Sequence, residues 1–421
     1  MREVKPLKNC HAAVTVPGSK SYTHRMLIAA ALSNGTCTIQ NPLRSEDTLC
    51  TLDALKQLGV TIEEQGGCCT ISGRSGILGA THKPLDLRNS GTSMRLLTAV
   101  AALGQGTHTL TGSERMQQRP IDDLLAGLNQ LGVSARSLKG TGCPPVEISG
   151  NDTAGGKVRL NCATSSQFLS ALLLIGPCLQ KGIEISVTDG PVSRPYVDIT
   201  LAVMQSFGIS FERTGYGWFR VPGRQTYRAG SYTVEPDCSQ AGYFWAAAAI
   251  TGSTIKVKSI SADSVQGDIR FLKLLAAMGC RVITDSDGIT VCGGELTAIE
   301  ADMGDIPDLV PTLAAVAAYA RGTTVISNVE HLKDKESDRL SAVVHELTKM
   351  GIMAGYDKQA LRITGGQPHG AEIETYNDHR IAMSFAVAGL RTGNILIRDE
   401  TCVDKSFPDF WRVLDCLYQD Q

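Results

Sequence analysis

A small-residue, apolar helix start recurs six times along this 421-residue chain, near Ser21, Ser90, Ser165, Cys238, Ile306 and Asn377. The period is roughly 70 residues, and a unit repeated six times must bury the same face six times. After most of these helices comes a turn and a β-rich stretch, as in Gly104-Gln105-Gly106-Thr107 and Arg321-Gly322-Thr323, marking a helix stop and a strand start. A second helix follows, apolar at 3.6-residue spacing, as in Ile121, Leu124, Leu125, Leu128 or Phe271, Leu274, Leu275, Met278. It ends on the glycine of Leu58-Gly59, Leu131-Gly132, Phe207-Gly208, Met278-Gly279 or Met350-Gly351, a C′ position, and a hairpin-like pair of strands comes next. The sixth unit stops after its second helix, near Trp411 to Leu417.

The first helices, such as Ala246-Ala247-Ala248-Ala249 and Ala314-Ala315-Val316-Ala317-Ala318, are apolar nearly all round and are predicted to be buried with close neighbours. The second helices carry polar faces, as at Asp53, Lys56 and Gln57, and should meet water. The predicted architecture is α/β, six repeated units with small-residue helices inside and sheets and amphipathic helices outside. Six units divide into three and three at Glu235-Pro236-Asp237-Cys238, with the first strand, about residues 4 to 16, returning to the second half. The expected domains are 1–19 with 236–421, and 20–235. Two crossings, near Gly18-Ser19 and Pro236, would suit a clamshell that closes on ligand.

Lys plus Arg number 40 against 42 for Asp plus Glu, so no net basic field argues for nucleic acid or a membrane surface, and an anionic ligand must be met locally. No signal-peptide core follows Met1-Arg2-Glu3-Val4-Lys5, and no run approaches the ~18 apolar residues of a membrane span, so a soluble cytoplasmic protein is expected. The 13 cysteines lack CxxC spacing and suit a reducing compartment; the 8 histidines form no ligand cluster, and no metal is implied.

Local cations sit at the helix starts. Asn89-Ser90-Gly91-Thr92-Ser93-Met94-Arg95 opens an apolar helix where backbone N–H groups lack partners, and Gly91 lets an anion approach without meeting a Cβ. An ordinary N-cap explains that stretch taken alone. Yet cations recur at matching places: Lys20 and Arg25 after Pro17-Gly18-Ser19, Arg119 in Arg115 to Pro120, then Arg339, Arg380 and Lys405. Chance surface charge would not follow the repeat. The Walker A spacing is absent, so ATP has little support. Ser165-Ser166-Gln167 offers neutral donors, and Ser193-Arg194-Pro195-Tyr196 occupies the place equivalent to Arg115 to Pro120. Asp308 stands at a helix start, and Glu336 is expected to share a helical face with Arg339, a proton donor beside a bound anion or a plain ion pair.

With PGSKS and Arg25, NSGTSMR, RMQQRP, SSQF, SRPY, IPD, KESDR, NDHR and DKSFPD in order across nearly the whole chain, the sequence resembles the 5-enolpyruvylshikimate-3-phosphate synthase family. The resemblance implies a two-domain inside-out α/β barrel and transfer of the enolpyruvyl group of phosphoenolpyruvate to the 5-hydroxyl of shikimate 3-phosphate, with no cofactor or metal, on the way to chorismate and aromatic amino acids. It implies that Lys20, Ser21, Arg25, Ser165, Ser166, Gln167, Ser193, Asp308 and Lys335 hold shikimate 3-phosphate. Lys20, Gly91, Arg119, Gln167, Arg339, Arg380 and Lys405 would hold phosphoenolpyruvate. In the family's addition–elimination route Asp308 is the candidate base, Glu336 the candidate proton donor, and Lys20 a partner in proton transfer. Leu96 stands where many members have proline, Ser90 and Ser93 where alanines are common, and His331 where some have a substrate-contacting asparagine. Gly91 implies sensitivity to glyphosate, and a monomer is expected. A sister enzyme acting on UDP-N-acetylglucosamine commonly has a cysteine in the loop that here runs from Gly112 to Pro120, which has none. A non-catalytic anion-binding repeat protein would have no need of Asp308 and Glu336.

Overall fold

The computed structural model describes residues 1–150 and 153–419. The chain forms two compact units, Gly18–Glu235 and Met1–Pro17 with Pro236–Gln421. In the first unit the helices come in pairs: α1 (Lys20–Ala31) and α2 (Glu46–Gln57), α3 (Gly91–Ala101) and α4 (Asp122–Gln130), α5 (Gln167–Ile175) and α6 (Pro195–Ser206). The second unit repeats this with α7 (Cys238–Thr251) and α8 (Phe271–Ala277), α9 (Val310–Ala317) and α10 (Arg339–Lys349), α11 (His379–Thr392) and α12 (Phe410–Cys416).

The odd-numbered helices form the core. α7 is buried from Cys238 to Ile250 and α11 from His379 to Leu390, and α11 packs against both α7 and α9. Small side chains permit this approach: a Cβ on Gly242 of α7 would come within 2.3 Å of Leu309 Cδ2. Each fully buried Leu or Ile of these cores contributes about 1.5–3 kcal/mol. The even-numbered helices keep a wet face, on which Asp53, Lys56 and Gln57 are exposed. α4 and α10 stop where Gly132 and Gly351 take φ of +85° and +79°, a left-handed turn that L side chains resist.

Each repeat wraps one sheet around its helices. Leu85–Asp86 runs parallel to Thr107–Thr111, which pairs antiparallel with Val146–Ser149, and Ser134–Ser137 lies outermost. Alternation sets the buried face, as Ile255 and Val257 point inward along Thr254–Lys258. Each unit also closes its own ring of repeats. Ser231–Thr233, at the end of the first unit, supplies the opening strand of its first sheet beside Thr36–Gln40. His11–Val14 does the same beside Thr254–Lys258.

The N-terminal strand expected over residues 4 to 16 is two strands in two sheets. Arg2–Val4 pairs antiparallel with Ile395–Ile397 and completes the truncated sixth repeat. Pro6 has no N–H for a ladder, and the next residue, Leu7, donates to Leu390 O instead. Among the described residues no helix is long and apolar enough to cross a membrane.

Candidate active site

In the first unit the starts of α1, α3 and α5 are tied together by side chains. Lys20 Nζ lies 3.1 Å from Asp47 Oδ2 on the first turn of α2. The backbone oxygen of Asp47 accepts from Ser93 Oγ at 3.1 Å, and Ser93 meets Ser90 at 2.7 Å and Thr51 at 2.8 Å. Ser90 and Ser93 thus build a hydroxyl chain behind Lys20, which continues from Thr51 to His24 at 2.8 Å. Gln167, opening α5, donates to Thr92 Oγ1 at 3.0 Å, beside Gly91. Ser165 Oγ accepts from Gln167 N and Ser166 Oγ donates to Ser193 O, so α5 starts two residues later than the sequence suggests, after a serine-capped turn.

Gly91 faces two guanidiniums. A Cβ there would lie 2.6 Å from Arg119 Nη2 and from Arg95 Nη1. Arg119 is buried and donates to Asn89 O at 3.4 Å, which brings it to the mouth of α3. Arg25 faces inward: its fork reaches Thr200 Oγ1 at 2.7 Å, Ser170 Oγ at 3.3 Å and the backbone oxygens of Ser21 and Tyr196, joining α1 to α5 and α6. Burial among these neutral oxygens lowers its pKa to about 10, against smaller upward pulls from Tyr196 and Tyr22.

The second unit gathers three carboxylates around two buried arginines. Arg339, the first residue of α10, donates to Asp308 Oδ1 at 3.0 Å, Glu336 Oε2 at 2.8 Å and Asp378 Oδ2 at 2.9 Å. Arg380 donates to Asp308 Oδ2 at 2.8 Å, Ser239 Oγ at 3.1 Å and Tyr243 Oη at 3.2 Å. Burial alone would lower the Arg339 pKa, but Asp378, Glu336 and Asp308 outweigh it and hold the guanidinium above its ordinary value. Asp308 is 20 % exposed, Glu336 9 % and Asp378 fully buried, so Asp308 is the carboxylate most open to a ligand. Glu336 precedes α10, whose cap is Asp338, so its contact with Arg339 forms across a loop rather than along a helical face.

Lys335 follows the turn Glu330–Asp334, and Lys405 is buried at the end of the turn Glu400–Lys405. His331 feels Lys335, Asp308 and Arg339; burial and then Lys335 push its imidazole down to about 3, against the pull of Asp308. Among the described residues no group of three or more His, Cys, Asp or Glu is placed to hold a metal ion.

The model of the EPSP synthase (3-phosphoshikimate 1-carboxyvinyltransferase) family matches residues 4–414. The chain belongs to the EPSP synthase family. It is similar to 3-phosphoshikimate 1-carboxyvinyltransferase of Syntrophobacter fumaroxidans, 43% identical over 99% of both chains. It is likewise similar to the enzyme of that name from Methanosphaerula palustris, 46% identical over 96% of both. Among solved structures, EPSP synthase from Acinetobacter baumannii superimposes with a TM-score of 0.83 at 30% identity, covering 99% of this chain and 97% of that one. The two-domain inside-out α/β fold is therefore that of an EPSP synthase.

Within this EPSP synthase scaffold, sequence reasoning left three positions out of its site. Asp47 lies in the first turn of α2, and Asp378 and Asp237 are the N-caps of α11 and α7. All three are caps or first-turn acids that also hold polar side chains, Lys20, Arg339 and Ser239 respectively. The available signal was their position: Asp378 and Asp237 each stand two residues before Arg380 and Ser239, and Asp47 follows the Ser45 cap by two.

Proposed function

We propose that this EPSP synthase transfers the enolpyruvyl group of phosphoenolpyruvate to the 5-hydroxyl of shikimate 3-phosphate and releases phosphate, through a tetrahedral intermediate. Lys20, Ser21, Arg25, Ser165, Ser166, Gln167, Ser193, Asp308 and Lys335 hold shikimate 3-phosphate. Lys20, Gly91, Arg119, Gln167, Arg339, Arg380 and Lys405 hold phosphoenolpyruvate. The observation that carries these roles is Asp308, the most open carboxylate of its network, lodged between Arg339 and Arg380 with Glu336 on the same guanidinium.

Phosphoenolpyruvate oxygens arriving at Arg339 and Arg380 exchange for protein carboxylate oxygens, which releases Asp308 toward the substrate hydroxyl. Asp308 takes the 5-hydroxyl proton as the oxygen bonds to the enol carbon. Glu336 gives a proton to the methylene, which becomes a methyl group. In the elimination the methyl proton returns to the protein, the double bond re-forms, and phosphate leaves with the electrons of its C–O bond. Lys20, anchored by Asp47, shares proton transfer and offsets phosphate charge. The cations that neutralise the two anions are each held in place by the fold of their own unit.

The arginine pair beside Gly91 supports glyphosate as an inhibitor, since a phosphonate and a carboxylate suit the same cations. The separate apolar cores of the two units support a monomer, and a biosynthetic enzyme of this family supports a cytoplasmic location. Phosphate release from the two substrates tests the reaction. Asp308→Asn is expected to lower kcat roughly 10²–10⁴-fold, the range for loss of a general base, while shikimate 3-phosphate still binds. Binding in the parent without turnover would instead favour an anion-binding protein.

A further inference from the structure

Arg380 is buried, and both hydrogens of its Nη2 are committed: one to Asp308 Oδ2 at 2.8 Å, the other to Ser239 Oγ at 3.1 Å. The direction of the second bond is fixed from behind. Asp237 Oδ1 accepts from the backbone N–H groups of Ser239 and Gln240 at 2.9 and 3.1 Å, so it is an acceptor toward the Ser239 hydroxyl as well, at 2.6 Å. The hydroxyl proton therefore points at Asp237, and only lone pairs face the guanidinium. Asp237 is itself clamped. The buried carboxamide of Gln266 accepts from Cys238 N at 3.1 Å and donates to Pro236 O at 2.8 Å, gripping the backbone on either side of it. The result is a one-way relay from the Gln266 loop through Asp237 and Ser239 to Arg380 and the candidate base.

We propose that Ser239 is a positioning residue for enolpyruvyl transfer, setting the rotation of the Arg380 fork so that the hydrogen Asp308 gives up is aimed at phosphoenolpyruvate. This rests on the reading of Arg380 and Asp308 above. Ser239 touches neither substrate; it acts through Arg380. The helix cap does not depend on it, since Asp237 bonds backbone N–H groups whatever side chain follows.

The test is steady-state kinetics of phosphate release on the full chain, with thermal unfolding as a control. Ser239→Ala leaves one buried guanidinium hydrogen without an acceptor, and KM for phosphoenolpyruvate is expected to rise about tenfold, with a smaller change in kcat. Ser239→Cys keeps the volume but accepts poorly, and should behave like the alanine variant. Ser239→Thr keeps the hydroxyl and should restore most of the affinity. In an Arg380→Lys background, where there is no fork to orient, Ser239→Ala should change KM less than about twofold. A parent-like KM in Ser239→Ala, or the same fold-loss in both backgrounds, would overturn the positioning role while leaving the reaction intact. No turnover by the parent would overturn the reaction, and the positioning role with it.

Discussion

Gly91 and Asp268 each put one side-chain choice under test. A Cβ on Gly91 would sit 2.8 Å from Arg119 Cζ as well as against two Nη atoms, and both arginines are buried, so they must turn to make room. The crowded atoms are the far ends of two flexible side chains, so the fold yields by turning the guanidiniums, which moves the cations an inhibitor would meet. Gly91→Ala is therefore expected to weaken glyphosate inhibition roughly ten- to hundredfold, and to raise KM for the shorter phosphoenolpyruvate far less. Equal losses in a kinetic comparison would contradict the shared pocket. Asp268, in the turn Gly267–Arg270, is buried and its pKa is pushed up to about 8, by burial first, then by Asp308, with Arg380 opposing and Asp237 adding to the rise. From the unfolded value of about 4 up to that pH the folded state holds a proton the unfolded state has lost, so stability from Asp268 falls as pH rises through the window. Asp268→Asn removes the dependence. Urea unfolding should find the variant gaining on the parent from pH 5 to pH 8, and a gap independent of pH would count against it.

At the level of helices, the cap of α11 doubles as an anchor of the site. Asp378 Oδ1 accepts from Arg380 N, while Oδ2 accepts from Arg339 Nε and Ser337 Oγ. Removing one partner of a fully buried ion pair typically costs about 3–5 kcal/mol. Asp378→Ala is expected to lose that much in denaturant unfolding, and a loss below about 1 kcal/mol, the size of an ordinary cap, would mean that Asp308 and Glu336 suffice to hold Arg339. Helix starts were legible in the chain because capping residues, small apolar runs and C′ glycines are local signals repeated six times. α1, α3, α5, α7 and α11 begin within two residues of the sequence expectation. Pairings across distance were not legible. Asp378 and Arg339 are 39 residues apart, and nothing near either one announces the contact. The contact between Glu336 and Arg339 follows from their spacing but lies off the helical face, because the Asp338 cap that starts α10 stands between them. Arg25, grouped with Lys20 as a cation at the same helix start, also meets Thr200, a partner 175 residues on that α6 presents to it.

For the whole molecule, the order in which the chain visits its units predicts what survives cutting. Gly18–Glu235 is continuous, holds three four-stranded sheets among its described residues and encloses its own apolar core, with Ser231–Thr233 returning to close its first sheet. A fragment of residues 18–235 should fold alone with cooperative unfolding in circular dichroism. Residues 236–421 lack Arg2–Val4 and His11–Val14, one strand in each of two sheets, and should fold only when residues 1–17 are supplied. A folded 236–421 fragment would contradict the role given to those strands. The chemistry has a more direct test, phosphate release from shikimate 3-phosphate plus phosphoenolpyruvate by the parent and by Asp308→Asn. Turnover in the parent, lost in the variant while shikimate 3-phosphate still binds, is the predicted result; parent and variant turning over alike would remove Asp308 as the base, and a parent with no turnover would contradict the reaction itself.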